Sequence, residues 1–229
     1  MTTDSTAELQ GQLADLRPSP RDVDLSDEGV MSRVDAGDID TILLLLRLIA
    51  GSHDRVPGKF WGTPLGRRLA EGLTEPLAGD RGAALSVVDV LTRPTVDHAV
   101  WTSPIGQTLH EAVAPILRGG DTAFALQLHG ACTPAAGSAD EDFVSWWGSP
   151  LGITVSEVLG AATEDLALPD ITLAEAAAIC AVSPSTAGVM RHRGNLQATP
   201  GKRSGVEAQA THRKASELRE KRKRRTKRA

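Results

Sequence analysis

The chain has 229 residues, a formal net charge of −4, two cysteines and no tyrosine. That length can bury a core as one large domain or two small ones. The cysteine count excludes a disulfide scaffold or a multi-cysteine zinc module, and the missing tyrosine excludes a tyrosine-nucleophile mechanism such as tyrosine recombination. The charge is split: residues 190–229 hold 14 Lys or Arg against Glu207, Glu217 and Glu220, whereas residues 1–189 hold 11 basic and 26 acidic groups. This distribution predicts a cationic arm for a polyanion on a body that repels one.

The opening MTTDSTAELQ has neither a basic start nor an apolar stretch and does not read as a secretory signal. The longest apolar run, Ile42 to Leu46, ends at Arg47, far short of the ~18 residues of a membrane span, so no membrane partner is expected. The expected place is the cytoplasm, in association with the nucleoid. Aromatics at 3% with many Ala, Gly and Pro predict a mainly α fold of short helices with an aliphatic core. The Ala/Gly/Arg-rich usage resembles that of a high-GC bacterium or its phage.

Residues 1–35 contain Pro18, Pro20 and many Asp, Glu and Ser, with Leu9, Leu13 and Leu16 as their main apolar spacing. They are expected to be a largely disordered acidic segment. A helix is predicted from Ile39 to Ala50, closed by Gly51. A repeat follows. Trp61-Gly62-Thr63-Pro64-Leu65-Gly66 recurs as Trp101-Thr102-Ser103-Pro104-Ile105-Gly106 and as Trp147-Gly148-Ser149-Pro150-Leu151-Gly152. In each copy Thr or Ser stands where a helix N-cap belongs and Pro at the first helical position. The motifs therefore open helices Pro64 to Leu73, Pro104 to Leu117 (with Pro115 bending or ending it early) and Pro150 to Leu159. Each is preceded by an apolar-periodic partner: Ile39 to Ala50, Ala83 to Leu91 and Thr122 to Ala131. Residues 36–167 are thus expected to be a body of three helical hairpins, with the repeated Trp packing over each helix start. Trp146, the additional tryptophan, is the candidate for an exposed partner contact. The acidic Asp140-Glu141-Asp142 reads as charge at a helix start.

Residues 168–206 follow another pattern. Thr172 and Glu175 make a capping box, Leu173, Ala176, Ala177 and Ile179 give one apolar side, and Val182 plugs a turn. Ser183 and Pro184 open a second helix, which Gly194 ends. This resembles the helix-turn-helix of DNA-binding proteins, and residues 193–206 resemble the wing of MerR-like and excisionase-like winged helix domains. The resemblance covers 171–206 only, and Ala181 stands at the turn position where that family usually has Gly. It implies that the second helix enters the major groove, with Ser185, Thr186 and Gly188 on its groove-facing part. Arg191, His192, Arg193 and Asn195 would lie around its end, and Lys202, Arg203 and Ser204 at the wing tip. Residues 207–229 are expected to be a flexible basic tail, supplying Arg213, Lys214, Arg219, Lys221, Arg222, Lys223, Arg224, Arg225, Lys227 and Arg228 for phosphate contacts. Read without the resemblance, the segment is a further hairpin of the array carrying a basic tail.

No catalytic signature emerges. His110-Glu111 begins like a zinc-protease motif, but Ala114 stands where the second His belongs. His129 and Cys132 have ligand-like spacing, and His98, His110 and Cys180 could complete a metal site only through the fold; packed histidines and a buried thiol are the simpler reading. No phosphate loop, nucleophile elbow or dinucleotide fingerprint is present. The expectation is a non-enzymatic DNA-binding regulator of transcription, with neither cofactor nor metal, acting on double-stranded DNA. Its acidic body would serve self-association or a protein partner. The alternative is a protein–protein adaptor in which the repeat body is the working part and the tail binds RNA or an acidic partner.

Overall fold

The computed structural model describes residues 28–53, 58–92, 98–132, 141–200 and 205–228. The described residues are mainly α, as composition predicts: twelve α-helices, two short 3-10 turns and one two-stranded antiparallel sheet. The chain divides into two compact units between Ala112 and Val113.

The first unit contains α1 (Glu28–Asp35), α2 (Ile39–His53), α3 (Pro64–Gly72), α4 (Thr74–Leu77), α5 (Arg81–Thr92) and the start of α6 (Pro104–Arg118). Helix α1 corrects the reading of residues 1–35: its last eight are helical, and residues 1–27 lie outside the described residues. Burial decides this, since α1 packs on α3 with Val34 fully buried, and Asp35 holds Arg68 through a bidentate ion pair. Helices α2 and α5 pack together, and each buries its apolar stripe: Ile42 and Leu46 on one, Ala84, Val87, Val88 and Leu91 on the other.

The Trp repeat is a packing device. Trp61, Trp101 and Trp147 are all buried. In each copy the cap hydroxyl donates to the carbonyl of the residue before the Trp: Thr63 to Phe60 at 2.6 Å, Ser103 to Val100 at 2.6 Å and Ser149 to Trp146 at 2.7 Å. Thr63 and Ser149 also accept from the amides of Gly66 and Gly152, both at 3.1 Å. The motif's last glycine is a steric necessity. A Cβ on Gly66 would stand 2.3 Å from the Phe60 oxygen, on Gly106 2.5 Å from the Trp101 oxygen, and on Gly152 2.1 Å from the Trp146 oxygen. Trp146 itself is fully buried. It occupies the place of Phe60 and Val100 in the third copy, which corrects its reading as an exposed partner contact. Helix α6 runs through Pro115 to Arg118, so Pro115 does not end it.

The repeat has a second half that the Trp motif conceals. Gly37-Asp38, Gly79-Asp80 and Gly120-Asp121 precede α2, α5 and α7 (Thr122–Cys132), and the three glycines have φ of +71°, +75° and +86°. Each glycine supplies the left-handed step that ends one helix, and the aspartate caps the next. Asp80 accepts from the Ala83 amide at 3.0 Å, Asp121 from the Phe124 amide at 2.9 Å, and Asp38 from the Thr41 hydroxyl at 2.9 Å.

The second unit holds α7, α8 (Glu141–Gly148), α9 (Pro150–Ala161), β1 (Ile171–Thr172), α10 (Leu173–Ile179), α11 (Pro184–His192), β2 (Gly205–Val206) and α12 (Ala208–Thr226). Helix α9 is central, packing on α7, α8 and α12. The third Trp hairpin, the short helix pair and the basic segment therefore share one core.

Candidate nucleic-acid interface

The short helix pair is built by its caps. Thr172 and Glu175 form the reciprocal capping box of α10: the Glu175 amide donates to Thr172 Oγ1 at 3.2 Å and the Thr172 amide to Glu175 Oε2 at 2.5 Å. The helix ends on Ala181, which has φ +50° and is the only non-glycine residue in the left-handed region among the described residues. The Ala181 amide donates to Ala178 O and the Val182 amide to Ala177 O, both at 3.0 Å. This is a Schellman turn with alanine where glycine is usual, at a cost of about 1 kcal/mol. Ser183 then caps α11 by accepting from the Thr186 amide at 3.2 Å. Gly194, at φ +71°, closes α11 with the same pair of hydrogen bonds: its amide donates to Arg191 O and the Asn195 amide to Met190 O. The two helices lie 105° apart.

The segment after α11 pairs as a hairpin. The Thr199 amide donates to Gly205 O at 3.1 Å and the Glu207 amide to Gln197 O at 3.0 Å, while β2 pairs on its other side with β1, Ile171 opposite Val206. Leu196, Ile171 and Val206 are buried beneath it. Lys202, Arg203 and Ser204 lie outside the described residues.

Helix α11 buries only Ala187. Ser185, Thr186 and His192 are exposed on it, and Arg193 and Asn195 are exposed just beyond; Arg191 is half-buried. Val189 is 48% exposed, one of two large apolar side chains so placed among the described residues. From Ala176 to Val206 the chain has no Asp or Glu, so α11 itself carries no group that repels a polyanion.

Residues 208–226 form a continuous helix of 19 residues, which corrects their reading as a flexible tail. Ala208, Thr211, His212 and Ala215 recur at helical spacing and are buried. The approach to α9 is close: a Cβ on Gly160 would stand 2.7 Å from the His212 carbonyl carbon. Gln209 ties the end of α9 to α12, donating to Glu164 O at 2.8 Å and accepting from the Leu166 amide at 3.0 Å. These small and polar residues gave no strong hydrophobic period, which is why the sequence alone did not reveal the packed face.

The basic residues of α12 divide by role. Arg219 donates to Ile179 O at 3.3 Å and lies 3.4 Å from Ser156 Oγ; Arg222 donates to Ala181 O at 2.9 Å and Cys180 O at 3.4 Å. Both guanidinium groups sit at the C-terminal end of α10, where cations are favoured, and hold the turn between the two short helices. Lys214 pairs with Glu217 at 2.8 Å and Lys223 with Glu220 at 3.0 Å, which holds both carboxyls below their ordinary range. Arg213 donates to Gly160 O at 3.4 Å. Lys221, Arg224, Arg225, Lys227 and Arg228 are exposed.

Behind this face, His129, Trp147 and His212 form a ring cluster, Trp147 lying 4.9 Å from His212 and 5.6 Å from His129. His212 Nδ1 meets Ser156 Oγ at 3.0 Å. Burial holds His212 down at about 3 and His129 at about 4, so both rings are neutral. Burial raises Cys180 to about 11, and raises Cys132 as well; neither thiol is poised as a nucleophile. Among the described residues no group of three or more His, Cys, Asp or Glu is placed to hold a metal, and no single helix is long and apolar enough to cross a membrane. Compared with family models, curated proteins and solved structures, the chain matches none.

Proposed function

We propose that the second unit binds double-stranded DNA, and that the protein is a non-enzymatic regulator acting through this contact in the cytoplasm. Helix α11 seats in the major groove, which admits one α-helix. The paired residues 197–200 and 205–207 lie along the backbone, and the outward cations of α12 reach flanking phosphates. The acidic first unit, which would be repelled by the duplex, is the part left to hold a second copy or a protein partner. The observation that carries the reading is the exposed, acid-free α11, whose preceding turn is clasped by Arg219 and Arg222 of the basic helix. Groove contact and phosphate contact would thereby be mechanically one piece.

The test is fluorescence anisotropy with a random-sequence duplex across a salt series. Each phosphate contact adds about 0.9 to the slope of log affinity against log salt. A variant with Lys221, Arg224, Arg225, Lys227 and Arg228 changed to Gln should bind more weakly and with a slope shallower by roughly that amount per lost contact. Salt-insensitive binding of the native chain, or an unaltered slope in the variant, would refute the reading. Preference for single-stranded RNA would instead favour the adaptor reading.

A further inference from the structure

One stripe of α11 is poorly explained by the protein's own stability. Ser185, Gly188, Val189 and His192 follow the i, i+3, i+4, i+7 spacing of a single helix face, and Ser185, Val189 and His192 are exposed. Gly188 lies mid-helix, where glycine costs about 1 kcal/mol relative to alanine. Nothing internal demands it: its φ is not positive, and a Cβ there would meet only Leu173 Cδ2, at an ordinary 3.8 Å. This contrasts with Gly66, Gly106, Gly152 and Gly160, each of which touches backbone closer than 3 Å to where a Cβ would sit. Beside it, Val189 leaves a β-branched apolar side chain 48% exposed in a nine-residue helix, again a poor choice for helix stability.

Both choices make sense if something external presses on the stripe. Resting on the DNA-binding reading above, we infer that Gly188 and Val189 are the sequence-reading positions of α11. Gly188 removes a side chain where the helix backbone comes closest to the groove. Val189 offers an isopropyl group to the thymine 5-methyl, the one apolar group a base pair shows in the major groove. Duplex DNA is favoured as the occupant by charge: the 31 residues from Ala176 to Val206 carry no acid, Arg193 is exposed beside the stripe, and α12 adds its basic run.

The experiment uses the full chain. A binding site is selected from a random duplex library, and each thymine in it is then replaced singly by uracil, which removes the methyl and keeps the pairing. The native protein should lose about fourfold in affinity at one thymine, the worth of one buried methyl group. Val189→Ala should bind the thymine and uracil duplexes equally. Gly188→Ala should melt at higher temperature than the native chain and yet bind the selected duplex at least several-fold more weakly, a combination that a structural glycine would not give. The inference is overturned if no uracil substitution matters, if Val189→Ala remains as sensitive as the native chain, or if Gly188→Ala binds unchanged. Salt-dependent binding to duplex without selection of any site overturns it while leaving the proposed function standing. Absence of duplex binding overturns both.

Discussion

Acidification should destabilise this protein well before its carboxylates titrate. His212 is fully buried, with Nδ1 on Ser156 and no partner for Nε2 among the described residues; His129 lies 6.0 Å away across the same cluster. Burial places them at about 3 and about 4, against 6.5 in the unfolded chain. A histidine with a depressed value in the folded state binds its proton more readily when unfolded. Its contribution is therefore neutral above about pH 7 and falls as pH drops below 6.5. At pH 5 each ring favours the unfolded chain by roughly 2 kcal/mol, and the two together by about 4, a large share of the ~5–15 kcal/mol typical of a folded protein. The ion-paired carboxylates of Asp35, Glu217 and Glu220 are held below their ordinary range, so they begin to cost stability only below about pH 4.5. Urea midpoints measured from pH 7.5 to pH 5 should fall steeply, and His129→Leu should remove close to half of that fall. A midpoint that stays level over this interval would show that the two rings are not held neutral, and the described packing of α12 on α9, with His212 beside His129, would be wrong.

The remaining predictions concern backbone fit and the clasp. Gly152→Ala should cost ~3 kcal/mol or more by thermal melting, because its Cβ would overlap the Trp146 carbonyl. Gly130→Ala, on a helix position with open space around it, should instead stabilise by about 0.5–1 kcal/mol. Ala181→Gly should relieve the left-handed strain at φ +50° and raise stability by up to ~1 kcal/mol, less the added freedom of the unfolded chain; a loss of stability would contradict the turn geometry. Arg222→Ala should cost about 1 kcal/mol and speed amide exchange in the turn at Val182, since the Ala181 and Cys180 carbonyls lose their donor.

Local chemistry made much of this fold legible. Ser/Thr-Pro announced the starts of α3, α6, α9 and α11, and the Thr172–Glu175 box announced α10, because a cap satisfies amides within three residues of itself and needs no distant partner. The Gly-Asp half of the repeat was equally local, but two residues of common type carry little signal until the left-handed φ is seen at Gly37, Gly79 and Gly120. Tertiary structure decided the rest. Trp146 is buried because a third copy of the repeat folds over it, and no neighbouring residue in sequence reports that. Residues 208–226 read as solvated cationic tail because charge dominates their composition; the buried Ala208, Thr211, His212 and Ala215 matter only once Gly160 opens a bed for them on α9. The same docking brings Arg219 and Arg222, read from the sequence as phosphate ligands, onto the carbonyls at the end of α10. A side chain's charge is fixed by its chemistry, whereas what that charge touches is fixed only when distant segments are brought together.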